Sequence, residues 1–415
     1  MLNINRYRLS NGLRIVHSPD INTKMVALNM LYDVGARDED PEHTGFAHLF
    51  EHLMFGGSIH IPAFDAPLQL AGGENNAWTS NDITNYYITL PKQNVETGFW
   101  LESDRMLGLD FNQKSLDVQR GVVMEEFKQR SLNQPYGDVS HLVRAMAYKT
   151  HPYQWPTIGK KLEHVAQATL QEVEDFFYRF YAPNNAILSV TGNISFKEVV
   201  TLSEKWFGEI PQRDVPERKI PREPIQTVER REEVFRDVPV DALFMVYPMC
   251  EFNHPDYEVY DLLSDVLANG TSSRLKQHLT QDKKVFTSVD AYVSGSRDAG
   301  LFHIVGQLAD GVSLEEGEQE VLQELELLQK ELIPEEEMEK VKNKFESNQV
   351  FRFIDYLNLA TDLAWYELNG NAEDIEHSVS KYRSVTANKA RTIARSLFDE
   401  NKRSVLYYRR NKAEE

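Results

Sequence analysis

The feature that most restricts the fold of this 415-residue chain is that it reads twice. Ala27-Leu-Asn-Met-Leu-Tyr32 is matched by Ala242-Leu-Phe-Met-Val-Tyr247, and both runs predict buried strands. A helical pattern follows each, ending at Gly57 and at Gly270, where glycine suits a helix C-terminus. Strands are expected again at Tyr86 to Leu90 and at Phe302 to Val305, each followed by a long helix. The second of these helices opens with the capping-box pattern Ser313-x-x-Glu316. Thr169-x-x-Glu172 starts a helix that leads into a strand from Ala186 to Val190, and its counterpart runs from Thr386 into Ser404 to Tyr408. The offset stays between 213 and 218 residues along the whole chain. A repeat of that steadiness predicts two copies of one design. Between them Pro211, Pro216, Pro221 and Pro224 stand among charged residues, which reads as an extended linker. The expected division is therefore 1–210, a linker over 211–226, and 227–415.

The copies differ where it matters. In the first, residues 48 to 52 read His-Leu-Phe-Glu-His. On a helix, positions i, i+3 and i+4 share a face, so His48, Glu51 and His52 point the same way. Two neutral imidazoles with a carboxylate between them suit a zinc site with its own base. The order H-x-x-E-H is that of the inverted zincins. Leu49, Phe50, Leu53, Met54 and Phe55 surround the trio, and a polar face in so apolar a helix is costly to bury without a partner such as a metal. At the equivalent positions the second copy holds Asp261, Ser264 and Asp265, so the fold does not require the trio.

A catalytic zinc needs a third protein ligand and an open position. Helical periodicity resumes over Ser115 to Arg130, with Leu116, Val122, Val123 and Phe127 apolar and Glu125 and Glu126 adjacent to the valines. Aligning Phe127 with Phe345 sets Glu126 opposite Lys344 in the copy; spacing alone does not separate Glu125 from Glu126. Other histidines, such as His43, His60 and His141, read as surface residues.

Charge and composition narrow the classes. A net charge of −19 and no notable basic patch argue against nucleic acid. The lone cysteine, Cys250, forms no intrachain disulfide and fits a reducing compartment. The start lacks the apolar run of a signal peptide, and no segment approaches the ~20 apolar residues that span a bilayer. A cytoplasmic protein with no membrane segment is expected.

These motifs together resemble the pitrilysin-like, or insulinase-type, metallopeptidases. The matching residues are His48-Leu-Phe-Glu51-His52 and Gln119-Arg120-Gly-Val-Val-Met-Glu125-Glu126. Gly72-Gly73-Glu-Asn-Asn76-Ala77-Trp78-Thr79, Asp82-x-Thr84-x-Tyr86-Tyr87 and His151-Pro152-Tyr153-x-x-Pro156-x-Ile158-Gly159 are also similar to the family. The resemblance implies Glu126 as third ligand, one Zn²⁺ per chain, and Glu51 as the base that takes a proton from the zinc-activated water and returns it to the leaving amine. It implies that Asn76, Ala77 and Trp78 form the strand beside the site to which a substrate adds as a further strand; Trp78 reads equally well as a core aromatic.

Two departures from the family stand out. Gln119 replaces a glutamate that tends to steady a histidine or the water, and glutamine cannot take a proton. In the second half Arg274 is kept as a substrate contact, but Thr287 stands where active relatives carry an oxyanion-binding tyrosine. The implied architecture is α+β: two homologous domains, each a mostly antiparallel sheet with helices packed on it, together half of a clamshell chamber. The implied function is a zinc endopeptidase of unfolded peptides, working as a homodimer or, given Thr287, as a heterodimer with a related zinc-less subunit. The competing reading is a non-catalytic or weakly active scaffold or processing subunit; a zinc amidohydrolase of another class fits the repeat and flanking motifs less well.

Overall fold

The computed structural model describes residues 2–411 and resolves into two compact units. The first contains a six-stranded sheet of β1 (Asn5–Arg8), β2 (Arg14–Pro19), β3 (Met25–Tyr32), β4 (Glu74–Thr79), β5 (Thr84–Pro91) and β6 (Ala186–Gly192), in the order β1-β2-β6-β3-β5-β4. Only the β2–β6 pair is parallel. The second contains β7 (Arg230–Arg236), β8 (Ala242–Pro248), β9 (Phe286–Ser294), β10 (Leu301–Leu308) and β11 (Ser404–Arg410), in the order β7-β11-β8-β10-β9, again with one parallel pair, β7–β11. Each copy is thus the α+β unit expected, a mostly antiparallel sheet with helices on it.

The anticipated strands fall inside these elements. The expected helix ends are less accurate. The zinc-motif helix is Phe46–Leu53 and its copy is Tyr257–Ala268. Both stop before their glycines, Gly57 (φ 115°) and Gly270 (φ 108°), which turn the chain after the helix has already closed. The helix bearing Glu126 is Gln113–Phe127 and passes into a wider π turn over Lys128–Leu132. Thr169 and Glu172 form the reciprocal capping box, whereas at Ser313 only the hydroxyl takes part, accepting from the Glu316 N–H.

The central strands explain the rest of the architecture. β6 is buried along its whole length and β3 along nearly all of it, so both faces of the first sheet need cover. Period-2 alternation divides the side chains. Val26, Leu28, Met30 and Tyr32 join one core with the zinc-motif helix and the helices Val95–Leu107, Leu170–Phe180 and Phe196–Phe207. Val16, Leu31 and Ile187 face the other way and pack against Leu359, Leu363, Ala364 and Leu368 of the helix Tyr356–Leu368. On that face Asn29 and Asn85 exchange side-chain hydrogen bonds of 2.8 Å, and the Thr361 hydroxyl donates to Asn29 Oδ1 at 3.2 Å. In the second unit Ala242, Val246, Leu406 and Tyr408 are covered by Val143, Met146 and Ala147 of the helix Val139–Ala147.

Each sheet therefore takes the cover for its second face from the opposite half of the sequence. The first unit comprises 2–128, 155–220 and 350–377; the second comprises 129–154, 221–349 and 378–411. A single cut through the Pro-rich stretch does not reproduce these units, because a sheet apolar on both faces needs more helix than its own half supplies. Residues 211–227 carry no helix or strand. Among the described residues no helix is long and apolar enough to cross a membrane.

Leu363 is fully buried against the far face of the first sheet. Leu363→Ala is expected to destabilise the protein by about 2–5 kcal/mol, measured as a shift in the denaturant midpoint of the full chain followed by tryptophan fluorescence.

Candidate metal centre

The zinc-motif helix is two turns long and sorts its residues by side. Phe46, Ala47, Leu49, Phe50 and Leu53 are buried in the core, where Phe50 stacks on Phe176 and Tyr181, each with 5.1 Å between ring centroids. The opposite side turns His48 and His52 toward the helix Gln113–Phe127 and Glu51 toward the end of β4. That helix is started by Asn112, whose side chain accepts from the Ser115 N–H at 2.8 Å. Its buried stripe is Leu116, Val123 and Phe127, and Glu126 lies one turn from Val123 at the edge of that stripe. Arg120 fastens the helix sideways by donating to the carbonyl oxygens of Ala166 and Ala168.

This packing gathers His48, His52 and Glu126. Glu126 Oε2 lies 3.5 Å from His48 Nε2 and 3.4 Å from His52 Nε2. The two imidazoles are nearly perpendicular, at 89° with centroids 4.9 Å apart, and one potential ligand atom from each of the three residues lies within 4.8 Å of the others. Tetrahedral zinc with bonds of ~2.0–2.1 Å needs ligand atoms about 3.3–3.4 Å apart. The Glu126 spacings therefore suit a zinc ion. His48 is buried, while His52 and Glu126 are partly open, which leaves one side of the group accessible. Glu125, which spacing did not separate from Glu126, instead points outward beside Lys128. Gln119 is half-buried two turns before Glu126 on the same helix.

Glu51 is held by a residue to which the sequence reading gave no role. The Thr79 hydroxyl, at the end of β4, donates to Glu51 Oε2 at 2.7 Å. Thr79 ends the Gly72–Thr79 motif, yet only the sheet register, pairing Thr79 with Thr84, brings it beside the motif helix. Beneath, the Tyr86 hydroxyl donates to the Phe50 carbonyl at 3.3 Å, and the fully buried Arg105 lies 4.4 Å over the Tyr86 ring while bonding Glu102. Burial raises the Tyr86 phenol well above its ordinary range, and the Glu51 charge adds to that. It therefore stays protonated and able to donate.

β4 is the terminal strand of its sheet. Along it Asn76 is exposed, Ala77 packs on the core and Trp78 is 38% exposed, which rejects the core reading of Trp78. Of the other histidines, His43 pairs with Glu172 at 3.1 Å and His60 with Asp104 at 2.6 Å, both largely exposed, while His141 is half-buried.

Residues 14–161 match the model of the insulinase family, peptidase family M16, and residues 167–345 match that of the M16 inactive domain. The chain is 32% identical over 364 residues to the zinc protease PqqE of Helicobacter pylori, covering 86% of this chain and 80% of that one. The chain belongs to peptidase family M16. It is also 26% identical to the uncharacterised zinc protease YmxG of Bacillus subtilis over 96% of both chains. Among solved structures it superposes on a protease from Helicobacter pylori with a TM-score of 0.93 at 26% identity, covering 99% of this chain and 100% of the other.

The second unit of this M16 chain has replaced the trio rather than emptied it. Asp265 accepts from the Tyr382 hydroxyl at 2.8 Å and from Asn269, and Lys344 donates to Asn269 Oδ1. A lysine ammonium thus stands on the helix position corresponding to Glu126; burial holds the Asp265 carboxyl above its ordinary range, opposed by the hydrogen bonds from Asn269 and Tyr382 and, more weakly, by the Lys344 charge. Asp261 has its carboxyl pushed up to about 7 by burial and by the neighbouring Asp265 charge. Elsewhere in this unit Arg274 is clamped by Glu337, at 3.0 and 2.7 Å. Thr287 is exposed, donates to the Gln307 carbonyl at 3.1 Å and lines a cavity of about 560 Å³.

Burial of Asp261 makes the stability of this unit depend on pH. An unfolded aspartate titrates near ~3.9, so the neutral folded form adds stability that is complete below that pH and is lost as pH rises to about 7. Asp261→Asn is expected to raise the melting temperature at pH 8 by on the order of 2–4 °C more than at pH 4, read from thermal melts of both proteins at the two pH values.

Proposed function

We propose that this chain is a zinc-dependent endopeptidase that hydrolyses unfolded peptides. The observation that carries the reading is the 3.4–3.5 Å spacing of Glu126 from both histidines, with Glu51 on the same helix face held by Thr79. His48, His52 and Glu126 are the residues that hold one zinc ion. When bound, zinc supplies Lewis acidity to a water and to the scissile carbonyl. Glu51 takes the proton of that water and delivers it to the departing amine. The Thr79 hydroxyl fixes the Glu51 carboxyl in one rotamer, so the base is positioned before substrate arrives.

β4 has no strand of its sheet on its outer side, where the Ala77 N–H donates to the Asn76 side chain at 2.8 Å, and a peptide adding there as a further strand would take that place and be read by shape more than by sequence. Asn76, Ala77 and Trp78 are the residues assigned to that role. Gln119 is assigned to the surroundings of the metal ligands, where it can hydrogen-bond but not exchange a proton. The 1–210 segment supplies every one of these groups and is read as the catalytic part, with 227–415 as its non-catalytic counterpart.

One observation favours a second reading, that of a scaffold or processing subunit. Thr287 is too short to serve as the tyrosine it replaces, and Arg274 is occupied by Glu337. In the peptidase reading a related, zinc-less partner subunit supplies the missing oxyanion donor, and the chain works as a heterodimer rather than a homodimer.

Metal content and turnover separate the readings. Purified wild-type protein is expected to hold about one zinc per chain by plasma mass spectrometry and to cleave a quenched-fluorescent unstructured peptide in a chelator-sensitive way. Glu51→Gln is expected to keep its zinc while kcat/KM falls by about 10²–10⁴. Cleavage by Glu51→Gln at the wild-type rate removes the base assignment, and zinc near zero in the wild type favours the scaffold.

A further inference from the structure

The zinc-motif helix begins without a capping side chain. Its N-cap is Gly45, at φ 91°. An added Cβ there would stand 2.8 Å from Val165 Cγ2 and 3.0 Å from the Ile158 carbonyl oxygen, so no serine, threonine or aspartate can take the place. The N–H groups of a first helical turn need acceptors, and here they must come from elsewhere in the chain.

Glu39 provides them. Its Oε2 accepts from the Gly45 N–H and its Oε1 from the Ala47 N–H, both at 2.9 Å. The Trp155 indole N–H donates to Glu39 Oε2 and to the Ala36 carbonyl, each at 3.1 Å, which fixes the carboxyl from behind. Glu39 is 7% exposed and Trp155 is 1% exposed. The neighbouring turn is fastened as well. Thr44 Oγ1 accepts from the Lys160 N–H at 2.7 Å, and the Thr44 N–H donates to His164 Nδ1 at 3.2 Å. Gly159, at φ 103°, lets the backbone pass so close that a Cβ would stand 3.2 Å from Gly45 Cα. The Trp155-Pro156-x-Ile158-Gly159 stretch, to which no role has been given so far, is therefore the seat of this helix end.

The geometry of the seat has leverage over the metal group. The helix is eight residues long and His48 follows directly after Ala47, whose N–H Glu39 holds. Any roll or slide of so short a helix moves His48, Glu51 and His52 together. Metal sites tolerate misplacement of only about 0.5 Å. A carboxyl group bridging the Gly45 and Ala47 N–H groups restrains both roll and axial position.

We propose that Glu39, braced by Trp155, is a positioning residue for the metal centre: it touches no ligand side chain, but it sets the orientation of the helix that presents His48, Glu51 and His52. The inference rests on the reading of that trio with Glu126 as a zinc site.

The test uses the full chain with Glu39→Gln and Trp155→Phe. Glutamine keeps the shape, but its amide nitrogen faces one of the two N–H donors and cannot accept. Phenylalanine removes the indole donor together with part of the ring volume, and the zinc-free melting temperature registers the packing loss. Zinc affinity is measured by competition with a chromophoric chelator, kcat and KM with an unstructured peptide, and the melting temperature on zinc-free protein. Glu39→Gln is expected to weaken zinc binding and to lower kcat, each about 10–100-fold, with KM within about twofold of wild type; Trp155→Phe is expected to move both in the same direction by a smaller factor. Zinc affinity and kcat unchanged in Glu39→Gln, with only the zinc-free melting temperature lowered, would make Glu39 a stability cap and overturn the proposal. Should Glu39→Gln not fold, Trp155→Phe decides, and wild-type zinc affinity in that variant overturns it. A wild-type protein that binds no zinc overturns the site reading itself, and the positioning role with it.

Discussion

The fold depends on one constraint: sheets whose central strands are apolar on both faces must be covered on both. β3 and β6 in the first unit leave no polar side to give to water. The zinc-motif helix is part of that cover. Phe46, Leu49, Phe50 and Leu53 hold it to the sheet, and the same attachment fixes the direction in which its polar side looks. The gathering of His48, His52 and Glu126 thus follows from burial: polar residues fall on the side of a short helix away from the sheet, and a second helix brings Glu126 to the two histidines. The apolar cover sets where that polar side is, and hydrogen bonds to fixed backbone groups set how closely it is held.

Much of this was legible in the chain. The repeat gave β3, β5 and β6 and their copies β8, β10 and β11, though not β2, because buried strands in such sheets are short apolar runs with little room for other readings. His48, Glu51 and His52 were legible because a helix places i, i+3 and i+4 together without help from the rest of the fold. Glu126 was not legible from periodicity, since Glu125 shares its neighbourhood; it took the resemblance to choose, and the angle between two helices to show why. Thr79 and Glu39 were invisible for a related reason. Each reaches the motif helix across a gap in sequence, one through strand register and one through a loop, and neither distance is encoded in local spacing. The helix ends were misjudged because the glycines that follow them serve the turn after the helix rather than its last residue.

The second copy shows what the site costs to abandon. Where the first unit gathers two imidazoles and a carboxylate, the second has carboxyls at two of those positions and an ammonium at the third, with Asn269 and Tyr382 linking them. The charges are exchanged, not deleted. A partly buried pair of aspartates near a lysine keeps the local balance without an ion from solution, and the price is an Asp261 carboxyl that resists ionisation. Residues 167–345 match the model of the M16 inactive domain, and at the helix position corresponding to Glu126 this half of the chain carries Lys344.

The exchanged helices carry a consequence for how the protein is made. The far face of the first sheet is closed by the helix Tyr356–Leu368, which follows every strand except β11 in sequence. During synthesis the strands of that sheet, the two histidines and Glu126 all emerge from the ribosome long before it does. Until then the nascent sheet has one apolar face bare. The order of translation therefore delays completion of the first unit until residues 356–368 have been made, and a chain cut short after the first repeat holds His48, Glu51, His52 and Glu126 while lacking the piece that finishes the sheet beneath them.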